Sequence, residues 1–140
     1  MLDYSLWQDR LVSRIGNNVK SIGFADSIKS VLANAVKATP SLHVIPKDER
    51  GTNLHTTGRN GSLITAGVDV VIIARDNSDA VGGQVTKNIK AIADMVDSAL
   101  MGWTPSDANQ PIFFRSSKRI AMYKGLLIWA QTYDTKYLKV

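Results

Sequence analysis

The segment that most constrains this chain is Ser62 to Arg75, which reads SLITAGVDVVIIAR. It opens with alternation: Ile64, Ala66, Val68, Val70, Ile72 and Ala74 fall on one side, with Thr65, Asp69 and Arg75 among those opposite. That is the period of a strand with one buried face. From Val70 to Ile73 the run is continuously apolar, the pattern of a strand covered on both faces. The segment therefore predicts a strand that is solvated early and central later, and the rest of the chain must supply its neighbours and its covering layers.

Helices are available for that covering. Trp7, Leu11 and Ile15 recur every fourth residue between polar positions, which predicts an amphipathic helix over 6–15 that stops near Gly16-Asn17-Asn18. A second stripe, Ile28, Val31, Leu32, Ala35 and Val36, predicts a helix over about 26–37 that Pro40 prevents from continuing. Asp76-Asn77-Ser78-Asp79 reads as a turn and capping segment. It precedes the longest helix, about 80–100, in which Val81, Val85, Ile89, Ile92, Val96 and Leu100 lie three and four apart. Gly82-Gly83 weakens its first turn and moves the expected start toward Gln84. Gly102 ends it, Trp103 folds back as an apolar plug, and Pro105 prevents a restart.

Leu42 to Ile45, between Pro40 and Pro46, reads as a brief strand. The stretch 46–60 is polar and rich in glycine and asparagine, and reads as a long loop. A loop of this length in a small domain needs a reason such as a binding arm, so Lys47, Asp48, Glu49, Arg50, Asn53, His55 and Arg59 are candidate assembly residues, expected to be mobile in a free subunit. The C-terminal runs 111–114, 119–123 and 126–133, separated by Ser116-Ser117 and Lys124-Gly125, read as three strands of a meander. The expected fold is a single α/β (more strictly α+β) domain over 1–140: an antiparallel or mixed sheet with helices packed on one face and a C-terminal strand meander.

Chemistry is excluded more readily than it is found. There is no cysteine, so disulfides, a cysteine nucleophile and thiolate-bound metal are ruled out. His43 and His55 have no third ligand at metal-site spacing. Asp76/Asp79 and Asp94/Asp97 are explained as capping and as a solvated helix face. No glycine-rich sequence has the form of a phosphate loop and no serine sits in a nucleophile elbow. The expectation is a protein that is not an enzyme and needs no cofactor or metal. No apolar run reaches membrane-spanning length and no secretory signal opens the chain, so a soluble protein made in the cytoplasm, without a membrane partner, is expected.

Charge is distributed unevenly. The 17 Lys and Arg exceed the 12 Asp and Glu by five, and the whole excess lies after residue 114: Arg115, Lys118, Arg119, Lys124, Lys136 and Lys139 stand there against Asp134 alone. Seven of the ten aromatics also lie in the last 38 residues. Basic and aromatic interleaving can serve nucleic acid or a protein interface. Arg115, Lys118, Arg119 and Lys124 are therefore candidates for facing either DNA or a neighbouring subunit, while Trp103 and Trp129 are expected in the core.

The order of elements resembles the tail terminator, or tail completion, proteins of long-tailed bacteriophages. The resemblance is carried by the N-terminal helical pair, by Pro40-Ser41-Leu42-His43-Val44-Ile45-Pro46 before a polar loop, and by Val68-Asp69-Val70-Val71-Ile72-Ile73. It continues in Ala99-Leu100-Met101-Gly102-Trp103-Thr104-Pro105 and in the closing segment Gly125 to Thr135. It implies that Leu100, Gly102, Trp103 and Pro105 are scaffold residues. It also implies a structural virion protein that forms a homo-oligomeric ring, a hexamer in such a family, at the head-proximal end of the tail after assembly in the host cytoplasm. The implied partners are the tail tube protein, whose growth the ring ends, and the head-tail connector or neck proteins that join the capped tail. DNA passes transiently and without sequence reading. The alternatives are another connector or neck protein, or a small nucleic-acid-binding domain, which would bind DNA as a monomer in a salt-dependent way.

Overall fold

A computed structural model describes residues 1–33, 38–56, 59–75, 83–123 and 125–140. The chain runs α1 (Ser5–Ile15), a 3-10 turn, β1 (Ser21–Phe24), α2 (Ile28–Ala33), β2 (Ser41–Pro46), β3 (Arg50–Thr56), β4 (Arg59–Arg75), α3 (Gly83–Leu100), β5 (Phe113–Tyr123) and β6 (Leu126–Lys139). It is a mixed α+β fold on a six-stranded sheet of order β1-β2-β4-β6-β5, with β3 beside the first half of β4. Among the described residues only the β1–β2 pair is parallel; the other pairs are antiparallel.

Strand β4 organises the sheet as its sequence pattern requires. Its later half is flanked by β2 and β6, with Val70 beside Val44 and Gln131. Its even-numbered residues Val68, Val70 and Ile72 join Leu42, Val44, Tyr133 and the apolar stripes of α1 and α3 in one core. Those stripes are Trp7, Leu11 and Ile15 from α1, and Val85, Ile89, Ile92, Val96 and Leu100 from α3, so the three- and four-residue spacings become the buried faces. Fully burying side chains of this size contributes roughly 1.5–3 kcal/mol each.

The odd-numbered residues Val71 and Ile73 point to the other face and form a second core with Ile45, Ile128 and Val31 of α2. Thus α1 and α3 share one face, and the short α2 covers part of the opposite one, because Val31 and Ile28 supply an apolar patch only large enough for the end of the sheet where β4 is apolar on both sides. The expected helix residues 34–37, the capping segment 76–79 and the start of the long helix at 80–82 lie outside the described residues.

Three sequence expectations need correction. The expected loop at 46–60 contains an irregular 47–49 followed by a strand: Arg50–Thr56 pairs with Arg59–Thr65 from Arg50↔Thr65 to Thr56↔Arg59. Its polar composition hid it, since Arg50 to Asn53 are exposed and a strand off the core needs no apolar alternation. Second, Ser116-Ser117 is not a turn. β5 runs unbroken from 113 to 123 and opposes the nine residues 126–134, its two extra residues being absorbed by irregularities at Arg115 and Ile120, the geometry of β-bulges. The C-terminal meander is therefore β4-β6-β5, built from two long C-terminal strands instead of three short ones. Third, the unassigned stretch after α1 contains β1, too short and too evenly half-exposed to show a period.

Candidate assembly surfaces

The α3 terminus is built around Gly102, whose φ of +81° is a conformation that favours glycine. Gly102 N donates to Ile112 O and Ile112 N to Trp103 O, both at 2.9 Å, closing the loop that follows the helix. Leu100 and Pro105 are buried. Trp103 is half-buried against the main core, with the Arg10 guanidinium 5.2 Å from its ring centre. Arg10 Nε also donates to Ala99 O at 2.9 Å. Trp129 is half-buried too, and its Nε1 donates to Gln131 Oε1 at 2.8 Å.

The candidate assembly residues after β2 divide into two groups. Lys47 and Glu49 are tied to the body of the subunit. Glu49 accepts from Tyr4 Oη at 2.7 Å and from Leu2 N at 3.2 Å, and from Tyr137 Oη. Burial opposes its ionisation, but the donors Tyr137, Tyr4 and Leu2 N, with the N-terminal charge, hold its carboxyl below the usual range. The same contact acts in reverse on the tyrosines. Tyr137 is pushed up to about 12, first by its bond to Glu49 and then by burial, while burial followed by Glu49 raises Tyr4 strongly. In contrast, Asp48, Arg50 and Asn53 are exposed. His55 and Arg59 occupy the far end of the hairpin, His55 opposite Asn60 and Arg59 opposite Thr56. Arg59 to Gly61 lie beyond the last β6 partner, which is Lys139 opposite Ser62, so the end of the hairpin projects past the five-stranded body.

Lys47 belongs to a second cluster, which the sequence alone does not reveal. Asp134 is 4% exposed at its side chain, and Lys47 Nζ donates to its Oδ1 at 2.9 Å while Arg115 Nε donates to its Oδ2. Such a buried carboxylate is tolerable because both oxygens are met by cations. Space for it comes from Gly67, directly across from Asp134. A Cβ on Gly67 would lie 2.0 Å from Tyr133 O and 2.4 Å from Asp134 Oδ1. The signal that could have found the cluster is that glycine, placed between Ala66 and Val68 inside the strongest strand of the chain.

The four C-terminal basic candidates do not form one patch. Arg115 is the bulged residue of β5 and is committed to Asp134, with its guanidinium 5.4 Å from the Phe113 ring centre. Lys118 lies across from Ala130 and Arg119 across from Trp129, and consecutive strand residues occupy opposite faces. Lys124 lies outside the described residues. Lys118 and Arg119 are exposed.

Arg119 borders a cavity of about 640 Å³ between α3 and the β5–β6 hairpin, whose apolar lining includes Ile89, Ala93, Phe114, Met122 and Trp129. Inside it Asp97 accepts from Tyr133 Oη and, at 3.2 Å, from Gln131 Nε2. Burial followed by the Asp97 bond raises Tyr133 strongly. Asp97, Gln131 and Tyr133 are thus paired with one another inside a recess whose remaining lining is largely apolar. Among the described residues no cluster of three or more His, Asp or Glu could hold a metal ion, and no helix is long and apolar enough to cross a membrane.

Comparison with known proteins agrees with this geometry. No curated protein matches the chain. Among solved structures, a chain from "Virion of native gene transfer agent (GTA) particle" aligns over 92% of this chain and 84% of its own length, at 14% identity and a TM-score of 0.51, a likeness of fold. The sequence model of the family described as Phage tail terminator protein matches residues 1–139. A match that spans helices, sheet and C-terminal hairpin alike identifies a structural protein of the viral tail, and the chain belongs to the phage tail terminator family.

Proposed function

We propose that this protein forms a ring that caps the tail tube at its head-proximal end, stops tube polymerisation and presents the surface to which the head-side connector joins. The observation that carries the proposal is the family match over residues 1–139. The subunit supports it physically. A ring needs two different surfaces on each copy, because only a heterologous contact repeated by rotation closes into a cycle. This subunit has unlike sheet edges at β1 and β5 and a hairpin arm beyond them. The arm, through Arg50, Asn53, His55 and Arg59, is our candidate for contact with the tube protein or a neighbour. Lys118 and Arg119 have no acidic partner among the described residues. They lie on opposite faces of β5, and Lys118, on the face away from the groove, is our candidate for a positive group that faces the lumen and eases DNA passage without reading bases.

Negative-stain imaging of purified protein, alone and mixed with tail tubes of the same virus, tests the proposal. Rings on one end of each tube, with tubes no longer elongating, are the expected result. Tubes that remain bare and continue to grow at saturating protein would overturn it.

A further inference from the structure

Resting on the ring reading above, we infer that the joint between subunits is a head-to-tail sheet contact, in which β1 of one copy lies along β5 of the next and its Phe24 enters the groove between α3 and β5. The two strands are the opposite ends of the β1-β2-β4-β6-β5 order. Following the pairings across the sheet, β1 and β5 run in opposite directions, so a translated neighbour would present β1 antiparallel to β5, the more stable pairing.

The faces agree as well. Phe24 pairs with Val44, which belongs to the α1/α3 core, and the groove opens on that same face. Each edge displays exposed apolar side chains: Phe24 is 44% exposed on one, and Phe114 and Met122 are 39% and 49% exposed on the other.

Side-chain face sets the register. Between its bulges at Arg115 and Ile120, β5 keeps a regular segment, Ser116–Arg119, of which Ser117–Arg119 can meet Ile22–Phe24 of β1 with Phe24 and Ser117 on the same face. Placing Phe24 across from Ser117, the smallest β5 residue lining the groove, sets Gly23 across from Lys118 and Ile22 across from Arg119. Asp26, two residues beyond Phe24, is exposed and has no cationic partner among the described residues. In this register it falls across from Arg115, at the end of the regular β5 segment. The hydrogen bond from Gln8 Nε2 to Ile22 O, 3.1 Å long, is a side-chain bond that an incoming strand's amide can replace.

The absence of cysteine allows a clean test. In a Gly23→Cys/Lys118→Cys variant, the first new side chain meets nothing within 4 Å in the subunit and the second replaces an exposed residue. Antiparallel partners lie within disulfide reach, so oxidation should give a reductant-sensitive ladder ending at the ring, about tenfold more bridged product than an Asn53→Cys/Lys118→Cys control. A Phe24→Asp variant should lose rings while keeping the wild-type unfolding midpoint. Rings seen by light scattering that give no Gly23→Cys/Lys118→Cys bridge, or a Lys118→Cys single variant that bridges to the tube protein instead, would overturn this joint and leave the ring reading standing. Wild-type protein that forms no oligomer, alone or on tubes, would overturn both.

Discussion

The two strands of the C-terminal hairpin invert the usual distribution of polarity. β6 buries Gln131, Asp134 and Thr135 in the interior, while β5 exposes Phe113, Phe114 and Met122 at the edge. Every buried polar group on β6 is answered from another element: Gln131 by Asp97, Asp134 by Lys47 and Arg115, Thr135 by the Gln110 carbonyl. Buried polar groups paired this way confer specificity of register, since a slip would leave each of them unpaired. The exposed apolar side chains of β5 have less within the subunit: Phe114 lies edge-on to Tyr133 at 6.0 Å and Phe113 lies under Arg115 at 5.4 Å. The inner strand is finished in the monomer; in the joint we propose, the outer strand is finished by a neighbour.

That contrast can be broken at its strongest point by Gly67→Ala. The new Cβ would overlap the backbone oxygen of Tyr133, which cannot move without opening the β4–β6 ladder. A loss of about 4 kcal/mol or more in chemical denaturation, or failure to fold, is expected, whereas a loss under 1 kcal/mol would show that the β6 interior is not rigidly specified. Next in size is the Lys47→Ala/Arg115→Ala pair. Either change alone leaves Asp134 one cation, but the double variant buries a bare carboxylate and should cost about 3 kcal/mol, more than the two single losses together. Strict additivity in a double-mutant cycle would mean that the two cations act independently.

Tyr137→Phe probes a further polar anchor of β6 and should cost about 2 kcal/mol, as expected for a hydrogen bond to a charged acceptor. Its pH dependence has a definite sign. A carboxyl whose folded pKa is depressed contributes stability above its unfolded value, 4.5 for Glu49, and loses it as pH falls through the folded value. Unfolding curves at descending pH should therefore show a shallower acid loss in Tyr137→Phe than in the wild type. Tyr137 itself works in the opposite direction. Raised from 10.0 to about 12, it contributes stability below pH 10 that disappears as pH climbs through that interval. The smallest effect is expected on the other strand: Met122→Ser should change subunit stability by less than about 0.5 kcal/mol. A larger loss would show that β5 is already part of the monomer's core.

Periodic segments were legible from the sequence, and contacts between distant segments were not. α1, the body of α3 and β4 announce themselves because each buries a regular stripe over many residues. The Gly102 turn was legible because glycine and proline have few conformational options. β1 and β3 gave no signal, since four half-exposed residues and a polar hairpin carry no burial period. The side of the sheet that α2 would cover was equally invisible, because Val31 and Ile28 define a stripe but not its target. The Lys47–Asp134–Arg115 cluster spans 87 positions between lysine and aspartate, and no local pattern links residues so far apart. Trp103 was expected to be a plug and is half-buried beneath Arg10, so its removal should cost nearer 2 than 4 kcal/mol.

The bulges at Arg115 and Ile120 also bear on how such a protein survives before it is needed. An uninterrupted edge of eleven residues would accept almost any extended chain, and in a crowded cell that is a route to fibres. Broken at two points, the edge offers a stranger only four regular residues, too few to hold it for long. In the ring we propose, subunits would then stay dispersed while tails grow and commit only where several short contacts are made at once, because linked weak contacts raise one another's effective concentration. Growth of such a ring would be self-limiting: it would depend on a template with enough simultaneous footholds, and it would end when the circle has no free edge left.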